Sequence, residues 1–376
     1  MVGVTVGDVV GVLEGAYPPG LAEGWDSVGM VCGDSGELVG RVLFAVDATE
    51  GVVEEAVRWG AQVLVVHHPL LLRGVDTVAT GTPKGALVHK LIRNGCALFT
   101  AHTNADSASP GVSDALAEVL GIEVSGPLEP KNAAAVDEWM VQVPLEYRER
   151  VLVALFAAGA GGDGRYSESA CWSAGFGQFR PSLEAAPADG AVGELKTVEQ
   201  ERVEVIAPPS KRGAVLAALR AAHPYEEPAF HVTERAALPS NVGLGRVGEL
   251  TRPQTLREFT ARVRAALPAT AWGVRAAGDP DRMIRTAAVC GGAGDSFLGT
   301  VSRLGVDAYV TADLRHHPAD EHLRAGGPAL IDAAHWATEF PWCAQAERIV
   351  RNALPQLQTR VCPIRTDPWT LGAADD

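Results

Sequence analysis

No stretch of the 376 residues approaches the roughly 18 consecutive apolar residues of a membrane span. The opening Met1-Val2-Gly3-Val4-Thr5-Val6-Gly7-Asp8 lacks the basic start and apolar centre of a secretory signal. The six cysteines (Cys32, Cys96, Cys171, Cys290, Cys343, Cys362) include no CxxC pair, so they form neither a zinc ribbon nor a disulfide framework. They read as reduced core thiols of a cytoplasmic protein. Basic residues are scarce: 32 Lys and Arg face 46 Asp and Glu, a formal net charge of −14. Non-specific nucleic-acid binding relies on cations neutralising phosphates, and anchoring to an anionic membrane relies on the same cations. Neither is expected here.

With those classes set aside, 47% hydrophobic and 21% charged residues describe an ordinary globular chain. Its length is too great for one core, so two or three domains are expected. Residues 1–127 alternate strand and helix. Residues 41–47 form a strand. Thr49 is placed to cap a helix over 50–59 that Gly60 ends, and a helix follows Pro83. Strands are expected over 63–66 and 96–100, and Pro110 opens a helix to about Leu120. Residues 128–240 read differently, with β-α-β-β-α-β order, that of a small ferredoxin-like module. A Gly-rich loop over 159–164 interrupts it. From 241 to 376 the α/β pattern resumes, with strands over 285–290, 308–311 and 329–332. The fold class is therefore α/β: a discontinuous domain in two halves, with an inserted ferredoxin-like α+β domain.

The ten histidines are unevenly placed. His67, His68, His102, His316, His317 and His335 all follow short apolar strands, where open α/β sheets collect their ligands. An apolar strand followed by His-His-Pro occurs at 63–69 and is echoed near 308–318, a hint of two related halves. Carboxylates sit near two of the same ends: Asp106, and Glu339 four residues after His335, on one face of a helix that starts there. Each alone has an ordinary reading. His67-His68 is a turn pair, His335 and Glu339 open an amphipathic helix, and Asp106 caps the next one. Together they converge on one end of one sheet. At least five such candidates suit two ions rather than one, roughly 3.5–4 Å apart. Imidazole with carboxylate suits Zn, Fe, Mn, Co or Ni rather than Ca or Mg. The run Gly291–Ser296, between strand and helix, could cradle a phosphate, with Arg73 or Lys84 contributing, although a plain tight turn accounts for it as well.

Four motifs then resemble one family: His67-His68-Pro-Leu-Leu-Leu-Arg73, Ala-His102-Thr-Asn-Ala-Asp106, Thr-Ala-Asp313-Leu-Arg-His316-His317 and Ile-Asp-Ala-Ala-His335-Trp-Ala-Thr-Glu339. Gly-Trp25-Asp26-Ser-Val-Gly29 is similar to its N-terminal signature. The family is that of the NIF-three-like dinuclear metal-centre proteins, also called GTP cyclohydrolase 1 type 2. The resemblance implies two divalent transition-metal ions per chain on His67, His68, Asp106, His335 and Glu339. It also implies a PII/CutA-like insert, marked by His223-Pro-Tyr-Glu-Glu-Pro228, and a homohexameric toroid. Ala312 and Ala334 stand where the family has glycine, and Trp336 where it has tyrosine.

The function expected on this basis is a metal-dependent hydrolase. A metal-bound hydroxide would attack a nucleotide-like substrate, a small-molecule ligand, with His102 or His317 carrying the proton. The alternative is a non-enzymatic protein of metal storage, delivery or regulation. A phosphoesterase would share the same dinuclear chemistry.

Overall fold

A computed structural model describes residues 3–372 apart from 134, 163–165 and 185–189. The chain forms two compact units, Met1–Lys131 with Ser240–Asp376, and Asn132–Pro239. The sequence set the inserted stretch at 128–240. The small difference arises because Glu129–Asn132 and Pro239–Leu244 pair as a two-stranded ribbon rather than forming loops.

The discontinuous unit holds two sheets, not the single sheet the sequence suggested. The first has the order Gly29–Cys32, Ala97–Thr100, Val63–Val66, Arg41–Ala45, Gln358–Val361. Its last four strands run parallel and Gly29–Cys32 is antiparallel. The second has the order Val274–Ala277, Ala329–Ala333, Ala308–Ala312, Met283–Ala293, Arg246–Thr255, Ile122–Gly126. Its parallel centre is flanked by antiparallel edges. Each half of the chain thus lends a strand to the other's sheet: Ile122–Gly126 from the first, Gln358–Val361 from the second. The edge strands are short and half exposed, so they carry no clean alternation in the sequence.

Val63-Leu64-Val65-Val66 is fully buried because both faces of its sheet are covered. Val63 and Val65 face the central core, which they share with Val289, Val310 and Ile331 of the second sheet. Leu64 and Val66 pack on the other side against Val52, Val53, Ala56 and Leu91 of two outer helices, Glu50–Trp59 and Pro83–Arg93. The helices between the sheets include Val6–Ala16, Val112–Leu120 and His335–Ala353. Local signals start several helices. Thr5 and Asp8 cap one another's backbone amides, as do Thr255 and Glu258, and Thr82 accepts from Gly85 beside Pro83. Thr49 occupies a cap position without a side-chain cap bond, and Gly60 ends that helix in the left-handed conformation. The helix expected from Pro110 starts at Val112, capped by Asp114 accepting from the Gly111 amide.

The inserted unit is a four-stranded antiparallel sheet ordered Phe230–Glu234, Asp137–Pro144, Lys196–Ala207, Ala170–Phe179. Trp139, Val141, Val143, Val203 and Val205 pack on Val151, Leu155, Val215 and Leu219 of helices Arg148–Ala157 and Arg212–Ala222. The expected β-α-β-β-α-β order is present. The Gly-rich loop falls partly outside the described residues. All six cysteines are free, but they are not all core thiols: Cys32 is half-buried and Cys171 is exposed on an insert strand. No helix among the described residues is long and apolar enough to cross a membrane.

Candidate metal centre

The strand Val63–Val66 hands directly to His67 and His68, whose amides both donate to the Val46 carbonyl of the neighbouring strand end. His67 is fully buried, backed by the Trp342 ring at 5.3 Å. The strand Ala97–Thr100 leads to His102 and a one-turn helix, Thr103–Ser107, which carries Asp106. In the second sheet, strand Ala329–Ala333 is separated only by Ala334 from the helix His335–Ala353. His335 opens that helix and Glu339 lies one turn on. Ala334 has φ −69° and ψ 138°, which any L-residue adopts, so the turn into the helix needs no glycine. The carboxyl ends of the two sheets therefore meet, and two walls nearly 270 residues apart in sequence close one cluster.

Glu339 stands at its centre, 3% exposed. Its Oε1 lies 3.0 Å from His335 Nε2 and 3.6 Å from His67 Nε2, and its Oε2 lies 3.0 Å from His68 Nε2. Asp106 Oδ1 is 3.7 Å from His67 Nε2. Two sets of candidate ligand atoms each fall within 4.8 Å of one another: His67, His68 and His102, and His68, His335 and Glu339. All five residues of the expected ligand set are brought together, and His102 joins them. Its ring is 5.1 Å from His67 and 5.6 Å from His68. His317, the other histidine given a proton-carrying role, is exposed on the first turn of helix His316–Arg324, its ring against His316. The second His-His-Pro is thus helical and lies past the strand end. The residue that directly follows that strand is Asp313.

Each ring is held from behind. Nδ1 of His67 meets the Ala101 carbonyl at 2.8 Å, and that of His68 meets Asp47 Oδ1 at 2.7 Å. For His102 the acceptor is Asp26 Oδ1 at 2.9 Å, and for His335 it is Asp313 Oδ2 at 2.7 Å. A carbonyl or carboxylate only accepts, so each Nδ1 donates and each Nε2 is turned toward the cluster. His67 Nε2 is buried with no hydrogen-bond partner. The orienting carboxylates Asp26, Asp47 and Asp313 carry no shared mark in the sequence. A ligating imidazole needs an acceptor for its other nitrogen, and acids just past neighbouring strand ends are suppliers, a rule that points to Asp47 and Asp313 but not to Asp26, which precedes its strand. Asp313 adopts φ +57°, a left-handed conformation that Asp tolerates better than most side chains.

The charges follow from the packing. Burial favours the neutral form of Glu339, but His68, His335 and His67 outweigh it and hold the carboxyl well below its usual range. Burial likewise pulls His335 down, yet Glu339 and Asp313 hold it up at about 10. Burial and the nearby His67 draw His102 down to about 4, and burial raises Asp106 to about 6. Without metal, protons on the imidazoles balance the buried carboxylate.

The glycine run has a different use from a phosphate cradle. Gly292, at φ +68°, lies against the cluster, where a Cβ would come within 2.4 Å of Glu339 Oε1 and 3.0 Å of His335 Nε2. Arg73 and Lys84 are exposed. In the insert, His223 donates from Nε2 to the Gln142 carbonyl and accepts the Tyr225 amide at Nδ1, both contacts of internal structure.

Comparison with known proteins agrees with the motifs. A protein of Mycobacterium tuberculosis named GTP cyclohydrolase 1 type 2 homolog is 58% identical over 370 residues, 98% of this chain and 97% of its own length. A Streptomyces coelicolor protein of the same name is 39% identical over 98% of this chain and 94% of its own length. Among solved structures, a Bacillus cereus protein related to NIF3 superposes with TM-score 0.75 at 33% identity, covering 98% of this chain and 99% of that one. A Staphylococcus aureus protein superposes with TM-score 0.83 at 26% identity, over the same shares. The sequence description of Duf34/NIF3 (NGG1p interacting factor 3) matches residues 4–368, so the chain belongs to the DUF34/NIF3 family.

Proposed function

We propose that the cluster holds two divalent transition-metal ions and that the protein is a metal-dependent hydrolase acting on a nucleotide-like substrate. The carrying observation is the fourfold pattern of Nδ1 donation, which turns the Nε2 atoms of His67, His68 and His335 toward Glu339 and leaves that of His102 for the His67 and His68 side of the cluster. The donor set fits such ions: nitrogen and carboxylate oxygen, with His67 Nε2 buried and unpaired. His67, His68, His102, His335, Glu339 and Asp106 would hold the ions between them, each imidazole giving its one free Nε2 to a single ion. Ions held there would supply Lewis-acid polarisation of an acceptor oxygen and acidify a water beside it. The chain's own contribution is orientation. Asp26, Asp47 and Asp313 fix ring angles, and Trp342 keeps water from behind His67.

The test is metal analysis followed by incubation of loaded protein with GTP, other nucleotides and generic phosphodiesters. About two ions per chain and turnover that collapses in His68→Ala are expected. Turnover equal to the parent's in that variant would defeat the hydrolase assignment to this site. One observation favours storage or delivery as a second reading: neither histidine given a proton-carrying role is free for it. His102 faces the cluster and His317 is exposed away from it. Delivery predicts transfer to a metal-free acceptor faster than passive release; equal rates would count against it. The hexameric toroid, the PII/CutA-like character of the insert and a cytoplasmic location belong to the same proposal. Light scattering of the full chain should give six subunits.

A further inference from the structure

Trp25 is 61% exposed, yet its ring centroid lies 5.9 Å from that of His102, edge to face at 77°. A side chain of this size normally covers its apolar area. Slack in the chain does not explain the exposure, because the segment is fastened on both sides of the ring. The Glu23 amide donates to Thr103 Oγ1 at 2.9 Å, and the Asp26 amide closes a turn onto the Glu23 carbonyl at 3.0 Å. Asp26 itself accepts from His102 Nδ1 at 2.9 Å and from the Thr103 amide at 3.0 Å. The two residues therefore divide the work: Asp26 orients His102, and Trp25 next to it is presented to solvent at the rim of the cluster. By contrast Trp272 and Trp369, also exposed, pack on each other with centroids 6.2 Å apart.

We propose that Trp25 is the platform on which a planar heteroaromatic ring of the substrate stacks, which assigns the site to nucleobase-like heterocycles. An indole accepts any such ring, because every base has a π-face, and it gives class selectivity without hydrogen-bond readout. This inference rests on the proposed function and deepens it by naming the side chain that takes the substrate's ring.

The test uses the metal-loaded full chain and its Trp25→Ala and Trp25→Tyr variants. Calorimetric titrations with GTP, ATP and NADH are set against inorganic triphosphate, which has no ring. Metal content and oligomeric mass are measured alongside. The parent should bind at least one of the three ring-bearing probes more tightly than triphosphate. Trp25→Ala should weaken that binding about 5- to 150-fold, Trp25→Tyr should recover most of it, and triphosphate affinity and metal content should not move. A parent that prefers none of the rings over triphosphate would overturn the platform, as would a Trp25→Ala variant with the parent's preference. If Trp25→Ala dissociates the oligomer, the ring is an interface residue and the proposal is wrong. Absence of metal from the parent counts against the metal centre alone, since the stacking preference is read independently.

Discussion

Gly292→Ala separates what the cluster needs from what the backbone needs. Two effects combine at this position. At φ +68° an alanine pays the left-handed penalty, about 1–2 kcal/mol. Its Cβ would also sit 2.4 Å from Glu339 Oε1, and that carboxylate cannot swing aside freely. It is buried and held at 3.0 Å by both His68 and His335. Gly305→Ala supplies the control: its φ is +66° and no atom lies within 4 Å of its added Cβ. Gly305→Ala should lower the unfolding midpoint by a few degrees through the backbone penalty alone, and Gly292→Ala by more, because the clash adds to it. Only Gly292→Ala should lose metal, by at least about 100-fold in chelator competition, the upper end of what loss of an orienting group costs. Parent-like metal affinity in Gly292→Ala would refute the placement of Glu339 at the centre.

Removing any one orienting carboxylate, in Asp47→Ala, Asp26→Ala or Asp313→Ala, should cost about 10–100-fold in metal affinity with every ligand intact, by the same competition assay. Metal uptake should release protons near neutrality, because His335 is held at about 10 without metal; affinity should therefore rise with pH, as titration calorimetry in buffers of different ionisation enthalpy will show. The same raised value stabilises the metal-free fold fully below about 6.5 and loses that contribution as pH climbs to about 10, so metal-free melting should fall across that window and metal-loaded melting less. Arg246, 1% exposed, donates to the carbonyls of Gly243, Gly245 and Ala108 and pairs with Asp114 at 2.7 Å; Arg246→Ala should cost about 3–5 kcal/mol in denaturant unfolding.

The parts of this protein legible in the sequence are those where a short apolar run meets a chemically distinctive residue. Val63–Val66 with His67 and His68 is one such place, and Ala329–Ala333 with His335 and Glu339 is another; both lie where expected. Periodicity could not reveal that these strands belong to different sheets, because a strand buried on both faces carries no mark of its neighbours. From the sequence His102 reads as a proton carrier, because an imidazole titrates near neutrality. Only the close approach of its ring to His67 and His68 shows its place. In the sequence Asp47 is only the end of a strand, whereas in the fold its carboxylate stands behind His68. The role of Gly292 is likewise spatial: Glu339, 47 residues later, fills the room a side chain would need.

The central claim is tested most directly by diffraction from crystals of the purified full chain at the absorption edges of the metals it carries. Two anomalous peaks per chain are predicted. Both should lie among the Nε2 atoms of His67, His68, His102 and His335 and the carboxylates of Glu339 and Asp106, at about 2.0–2.2 Å from their ligands. No peak in protein purified without chelator, or peaks only elsewhere on the chain, would contradict the account.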